Sequence, residues 1–559
     1  MQVDTRIDET HTFAPQPRRV SQERRPPRRV DHPMAGHTVV RTLPHDVPDG
    51  AGGERSAGEH PDHSVGRDPA GRDPLDDVVD DMRPCVAVWG GHGRHDAEKT
   101  ASHTAAMTVR DDLDRFIASE RDRFTAELRE LCAIPCEASD RGALDGAARW
   151  CRERLRAAGF ADARELRADS APALVVAETG AGKRTLIGVQ HYDVQPAVPL
   201  ELWKSPPYDP AIRDGAMYAR GVDDNKGHLL LRIQAVEAHR AVYGELPIRV
   251  RFLIEGEEES GSPNLARLLA LEPELTRGDG ALKEGGAIDS QGRPLLSLGG
   301  KGILYCSFHV RTMSRDAHSG GATHYPNAAM RLAHAFASLM DPRGRVLIEG
   351  FYDDVRQPTP AEAEMLERMP FDAQATKDVV GIKRFAFGRG DDDAKRASVF
   401  EPTCNVCGLE SGYNGPGSKT VIPCEATGKI DFRLVPDQDP DQIAELLRAH
   451  LDRSGFDDVE FSAEEGEHPY RGPADAPLVR AVAAVAEEAF GKPVVLIPSS
   501  GGTSPMWVVC NARRMANVTL GMGHPGAGAH APNEHILMEN YWRAMRATAR
   551  LYTGFASQE

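Results

Sequence analysis

Two histidines and a group of carboxylates stand where apolar runs stop. The run over residues 186–190 delivers His191, Tyr192 and Asp193, and the run over residues 248–254 delivers Glu255, Glu257, Glu258 and Glu259. A short apolar run ending in polar residues reads as a buried parallel strand whose carboxyl end opens into a crevice, where α/β sheets bind ligands. His191 is then a candidate metal ligand and Asp193 the carboxylate that orients it. Carboxylates packed at the second strand end repel one another unless cations or shared protons compensate them. Asp224, in the polar turn over residues 221–227, reads either as part of a solvated turn with a capping Asp at a helix entrance or as a further ligand. Glu284, followed by Gly285 and Gly286, and His530 complete the set. Two histidines, one aspartate and two glutamates make a mixed nitrogen and oxygen donor set suited to Zn2+ or Mn2+. Two such ions about 4 Å apart hold a water as hydroxide while polarising a carbonyl, and a free carboxylate beside them serves as general base. The chemistry expected is metal-assisted hydrolysis.

The elements that position these groups follow from periodicity. A helix from Asp111 carries Leu113, Phe116, Ile117, Phe124, Leu128 and Leu131 at helical spacing. Further helices are expected over residues 147–158, ending at Gly159, and over residues 227–239; strands are expected over 173–177, 186–190 and 248–254. Strands alternating with helices predict an α/β architecture. From residue 300 the pattern becomes strand (303–310), helix (327–340), strand (429–434) and helix (441–451), which predicts a separate α+β insert. Between its halves lies an irregular stretch of about eighty residues, longer than a connecting loop, read as a functional or interface insertion. The chain returns to the first domain near Pro469, with a helix over 478–490, a strand over 494–497 and a terminal helix after Glu539. The expected domains are therefore 107–299 and 469–559 as two parts of one catalytic body, with 300–468 inserted.

Composition narrows the class. With 559 residues the chain exceeds a single core, and a formal charge of -17 argues against an extended nucleic-acid or acidic-lipid surface. No apolar stretch reaches the length of a membrane span. Nine scattered cysteines suggest reduced thiols in a cytoplasmic enzyme, and the lone CxxC of Cys404 and Cys407 reads as structural. Residues 1–106, rich in Arg, Asp, Pro and Gly, have too few periodic apolar residues to form a core and are expected to be disordered, with Met107 as the true translation start.

The motifs also stand in a familiar order. His191-x-Asp193, Asp224-x-Lys226-Gly227, Glu255-Gly-x-Glu258-Glu259-Ser-Gly-Ser262, Glu284-Gly-Gly, Asp316-Ala-His318-Ser-Gly, Lys419-Thr420-Val-Ile-Pro423, Arg433-Leu-Val-Pro436 and His530 together resemble the metallopeptidase family of carnosine dipeptidases, acetylornithine deacetylases, succinyl-diaminopimelate desuccinylases and aminoacylases. The resemblance runs from about residue 108 to the end. It implies a zinc-peptidase-like α/β/α catalytic domain with an inserted α+β lid and dimerisation domain. It further implies that His191 and Glu284 hold one metal ion, Glu259 and His530 the other, and that Asp224 bridges them. Glu258 matches the general base, and Asp193 the carboxylate behind His191. His318 resembles a histidine that reaches into the partner subunit's site to stabilise the tetrahedral oxyanion, so a homodimer is expected. Arg433 matches the residue that grips the substrate carboxylate, with Thr420, Gly501, Gly502 and Thr503 lining the same pocket.

One departure bears on substrate. Many dipeptidase relatives carry an Arg-Glu pair before the Gly-Gly turn, where this chain has Ser499 and Ser500. The long insert favours the dipeptidase-like branch, while loss of an acid that could receive an ammonium favours an N-acyl-amino-acid deacylase. The reading is a binuclear metallohydrolase that cleaves an amide or peptide bond next to a free carboxylate, a dipeptidase or related exopeptidase, with the deacylase as alternative and an inactive binding protein on the same fold as the remote one.

Overall fold

The computed structural model describes residues 95–558. A six-stranded sheet runs in the order Arg164–Leu166, Leu174–Thr179, Arg249–Glu255, Thr185–His191, Gly280–Lys283, Asn517–Thr519. The first two pairings are antiparallel and the other three parallel. Because successive strand residues point to opposite faces, this sheet feeds two cores. Val175, Ala177, Leu186, Phe252 and Ile254 pack with the helices Arg141–Ala157, Gly227–Tyr243, Pro477–Phe490 and Met538–Ala556. Leu174, Val176, Ile187, Val189 and Leu253 pack with Leu265–Leu271 and Met506–Cys510 on the other side. The result is the expected α/β/α layering.

The insert is a four-stranded antiparallel sheet in the order Asn405–Ser411, Glu425–Leu434, Gly302–Arg311, Glu460–Glu467. Leu304, Cys306, Phe308 and Val310 alternate inward under the helices Ala328–Leu339 and Pro440–Arg453. Both helices start at side-chain caps: Asn327 accepts from the Met330 N–H at 3.1 Å, and Asp439 from the Asp441 N–H at 2.9 Å.

Several expectations need correction. The first helix begins at His95, ahead of both Met107 and Asp111, and residues 1–94 of the expected extension lie outside the described residues. The stretch read as irregular holds three helices, Pro360–Arg368, Ala373–Val380 and Asp391–Phe400, and then an edge strand of the insert's sheet. The strand Val495–Ile497, expected over 494–497, pairs with Pro294–Ser297 in a small sheet of its own, and the main sheet's edge is Asn517–Thr519, a strand that the sequence reading did not pick out. The polar turn before Gly227 is not a solvated cap either: Val222, Asn225 and Lys226 are buried.

The first of those three helices ties the insert to the catalytic body. Thr359 and Glu362 form its capping box. The Glu362 carboxylate also receives Arg356 through two 2.9 Å bonds and Arg471, across the junction, at 2.9 Å. Burial alone would raise this carboxyl; Arg356, the Thr359 N–H and Arg471 overcome it and hold Glu362 down to about 2, against an ordinary 4.5. A carboxyl lowered in the fold stabilises it above the ordinary value and loses that contribution as pH falls toward the folded one. Melting temperature should therefore fall between pH 4.5 and about 2 with a component that Glu362→Gln removes. An acid limb of identical slope in the variant would contradict this.

Candidate active site

The polar residues gather at the carboxyl ends of the parallel strands. His191 closes its strand in register with Glu255 of the neighbour, and Glu284 follows the end of Gly280–Lys283. Asp224 enters from the turn Val222–Lys226, and His530 from the loop before the strand His535–Leu537. His530 sits at φ 62°, a left-handed conformation that a non-glycine side chain adopts at a cost and that clusters at functional sites.

Asp224 is the hub. Its Oδ1 lies 3.1 Å from His191 Nε2, and its Oδ2 lies 3.1 Å from His530 Nε2. His530 Nε2 also lies 3.2 Å from Glu259 Oε2, while Glu258 and Glu284 approach His191 Nε2 at 3.8 and 3.9 Å. Asp193 sits behind this row. Its two oxygens accept the backbone N–H groups of Glu258 (3.3 Å) and Glu259 (3.0 Å), and its Oδ1 stands 3.4 Å from His191 Nδ1, whose nearest acceptor is the Asp193 carbonyl at 3.1 Å.

Electrostatics follow from burial. Burial first, then repulsion from Glu284, pushes Glu258 well above the ordinary carboxyl range, and Glu284 is raised chiefly by burial. Burial would lower His191, but Glu258, Asp193 and Asp224 overcome it and hold the ring well above its usual value; the bonds to Asp224 and Glu259 raise His530 to about 10. Burial, Glu534 and Asp224 likewise push Asp223 up. Such a cluster must take up protons or cations.

The donors fit cations. His191, Asp224 and Glu259 offer ligand atoms within 4.8 Å of one another. Glu259 Oε1 and Glu284 Oε2 are buried without a hydrogen-bond partner, although such oxygens are seldom left bare. These residues line a cleft of about 650 Å³, with Ile303, Tyr305 and Arg433 contributed by the insert. Arg433 Nη1 donates to Thr503 Oγ1 at 2.7 Å.

The sequence pattern of Peptidase family M20/M25/M40 matches residues 189–554, the span that carries this cluster. The chain belongs to that family. It is 30% identical over 398 residues to the Beta-Ala-His dipeptidase of Mus musculus, covering 69% of this chain and 80% of that protein. It is 27% identical over 400 residues to the Cys-Gly metallodipeptidase dug1 of Schizosaccharomyces pombe, covering 67% and 81%. Among solved structures it is similar to an M20 family metallo-carboxypeptidase from Sulfolobus solfataricus (TM-score 0.74, 36% identity, 78% and 99% covered). It is also similar to the di-peptidase Dug1p from Saccharomyces cerevisiae (TM-score 0.69, 25% identity, 81% and 98% covered). This M20 member is thus a metal-dependent peptidase.

Within the M20 chain, Asp224, Glu258, Glu259, Glu284, His530, Arg433, Gly502 and Thr503 line one cleft, with His191 and Asp193 buried beneath it. His318, Thr420 and Gly501 are not among its lining residues. His318 and Thr420 share an exposed turn of the insert, where the Ser319 N–H donates to the Thr420 carbonyl at 3.1 Å. Ser499 and Ser500 also lie off the cleft: Ser499 is buried against Arg471 Nε at 3.2 Å, and Ser500 donates to the Gly299 carbonyl.

Sequence reading missed Glu534. It is wholly buried and accepts the N–H groups of Gly221 (2.8 Å), Asp223 (2.8 Å) and Asp224 (3.0 Å) together with Arg220 Nη1 (2.7 Å). It therefore sets the loop that presents Asp224. Gln195, which donates to Glu259 Oε2 at 3.0 Å, was missed as well.

Proposed function

We propose that the chain is a dipeptidase that cleaves the peptide bond next to a free carboxylate, with a pair of divalent ions, zinc or manganese. The observation that carries this is Asp224, whose two oxygens each face one histidine at 3.1 Å. In this reading His191 and Glu284 would hold one ion and Glu259 and His530 the other, with Asp224 shared by both. Bound there, the ions would polarise the scissile carbonyl and acidify a water. Glu258 takes the proton of the attacking water and returns it to the leaving amine. Asp193 fixes the Glu258–Glu259 turn and the His191 ring, so base and ligands keep their spacing. Arg433, steadied by Thr503, grips the substrate carboxylate as a guanidinium fork. Relatives named as acting on Beta-Ala-His and Cys-Gly support a small peptide as substrate.

The test is metal-free protein resupplied separately with zinc and manganese and assayed on alanyl-alanine and N-acetylalanine. Faster turnover of the dipeptide is expected; turnover of the N-acyl compound alone would move the enzyme to the deacylases.

The working unit is a homodimer in which His318 and Thr420, exposed on the insert, serve the partner's cleft, with His318 steadying the oxyanion. His318→Ala should cut turnover sharply, and mixing it with a Glu258→Ala protein should restore part of the activity through hybrid dimers. No rescue on mixing would count against the shared site. A reducing, cytoplasmic setting is supported by the cysteines, all free among the described residues. Among those residues no helix is long and apolar enough to cross a membrane.

A further inference from the structure

Three acids of the cleft have no task in this mechanism: Asp431 and Glu467 on the insert's side, and Asp223 on the catalytic body's side. Asp223, next to the hub, lines the cleft on the catalytic body's side together with His228, Gly285, Gly286, Gly523 and His524. Among the described residues its Oδ1 is buried and has no hydrogen-bond partner. Its backbone is pinned from both sides: Glu534 accepts its N–H at 2.8 Å, and His228 Nδ1 donates to its carbonyl at 2.8 Å. These contacts fix where the side chain leaves the loop.

His524 adds a second unpartnered atom on the same wall. Its Nδ1 donates to the Pro525 carbonyl at 3.0 Å, and the backbone of His535 also faces the ring. Its Nε2 is buried and has no partner either. Beside the His228 ring and Ala287, the wall is glycine. Gly286 adopts φ 110°, and a Cβ there would stand 2.5 Å from the Gly521 nitrogen; a Cβ on Gly523 would stand 3.3 Å from Asp223 Oδ1. Further side chains are excluded there.

We infer that Asp223, with His524 beside it, is the subsite that receives the free ammonium of the substrate's amino-terminal residue. This rests on the dipeptidase reading above and deepens it. A wall that presents a carboxylate oxygen, and whose His228 Nδ1 donor is already spent on the Asp223 carbonyl, suits a cationic nitrogen and repels a carboxylate or an acyl oxygen. Oδ1 of Asp223 lacks a hydrogen-bond donor, and an ammonium supplies N–H groups with a charge that suits a carboxylate. The sequence places no acid at Ser499 and Ser500, and neither serine lines the cleft. Recognition of the amine has thus moved to the residue before the metal bridge, while Arg433 takes the carboxylate from the insert's side.

Alanyl-alanine and N-propionylalanine differ only in the amine, so they isolate this contact. Binding of each to zinc-loaded Glu258→Gln protein is measured by titration calorimetry, with zinc content and melting temperature recorded for every variant. Alanyl-alanine should bind about 10- to 100-fold more tightly, as a hydrogen bond to a charged group gives. Adding Asp223→Asn, nearly isosteric, should bring the ratio of the two affinities close to one at unchanged zinc content, and adding His524→Phe instead should reduce it in part. Equal affinities in the Glu258→Gln parent, a ratio untouched by either variant, or a zinc ion lost with Asp223→Asn would each overturn the subsite. Failure of the dipeptidase reading has a different signature: the unsubstituted holoenzyme then leaves alanyl-alanine intact.

Discussion

Replacing Glu258 with alanine should lower turnover by about 10²–10⁴-fold, the range that a positioned general acid–base contributes, while metal content and melting temperature stay near those of the parent. The asymmetry comes from position. Asp224 and Glu259 stand within hydrogen-bond distance of His530, and Asp224 also of His191, so removing either dismantles a ligand set. Glu258 stands further out, at 3.8 Å from His191 Nε2, on a turn whose backbone is held by Asp193 rather than by its own side chain. Its carboxylate can therefore go without moving its neighbours. Steady-state kinetics beside elemental analysis reads both halves, and loss of metal in parallel with activity would reassign Glu258 as a ligand.

Glu534→Ala should be the most damaging substitution outside the ligand set. The carboxylate is the shared acceptor of three N–H groups and of Arg220, which is itself 1% exposed. Removing it leaves a buried guanidinium without its counter-ion, and breaking a buried pair from one side costs about 3–5 kcal/mol. The same loss frees the turn that carries Asp224, so metal affinity should fall along with stability. Chemical denaturation of the metal-free protein measures the first effect and competition with a chelator the second. A variant that kept its stability and lost only activity would show that Glu534 works at the substrate instead.

The sequence made the polar cluster legible because metal chemistry restricts residue type and strand ends restrict place. His191, Asp224, Glu259, Glu284 and His530 come together across more than three hundred residues, as their order suggested. Glu534 stayed hidden because its partners are mainly backbone N–H groups, which leave no mark in a sequence. Asp223 read as part of a solvated turn because nothing in its neighbours announces that Glu534 and His228 bury the loop. The first two of the three helices after residue 359 were unreadable for another reason: they bury very little, while Asp391–Phe400 buries only its last turn, at Ala397, Val399 and Phe400. Pro360–Arg368 buries Glu362 and Met365, and Ala373–Val380 buries nothing, so no apolar stripe of helical period exists to be found.

The insert is one continuous stretch of chain, whereas the body around it is interrupted. The insert's sheet is complete once residue 467 is made, and nothing in its core is contributed from later in the chain. The body instead needs Asn517–Thr519 to finish its sheet and His530 to finish its ligand set. On the ribosome the insert can therefore close first while the first half of the body waits for its second half, which makes the body the slow and vulnerable part of synthesis. A nascent chain also lacks one histidine of the donor set until residue 530 has emerged, so the cluster cannot assemble before then.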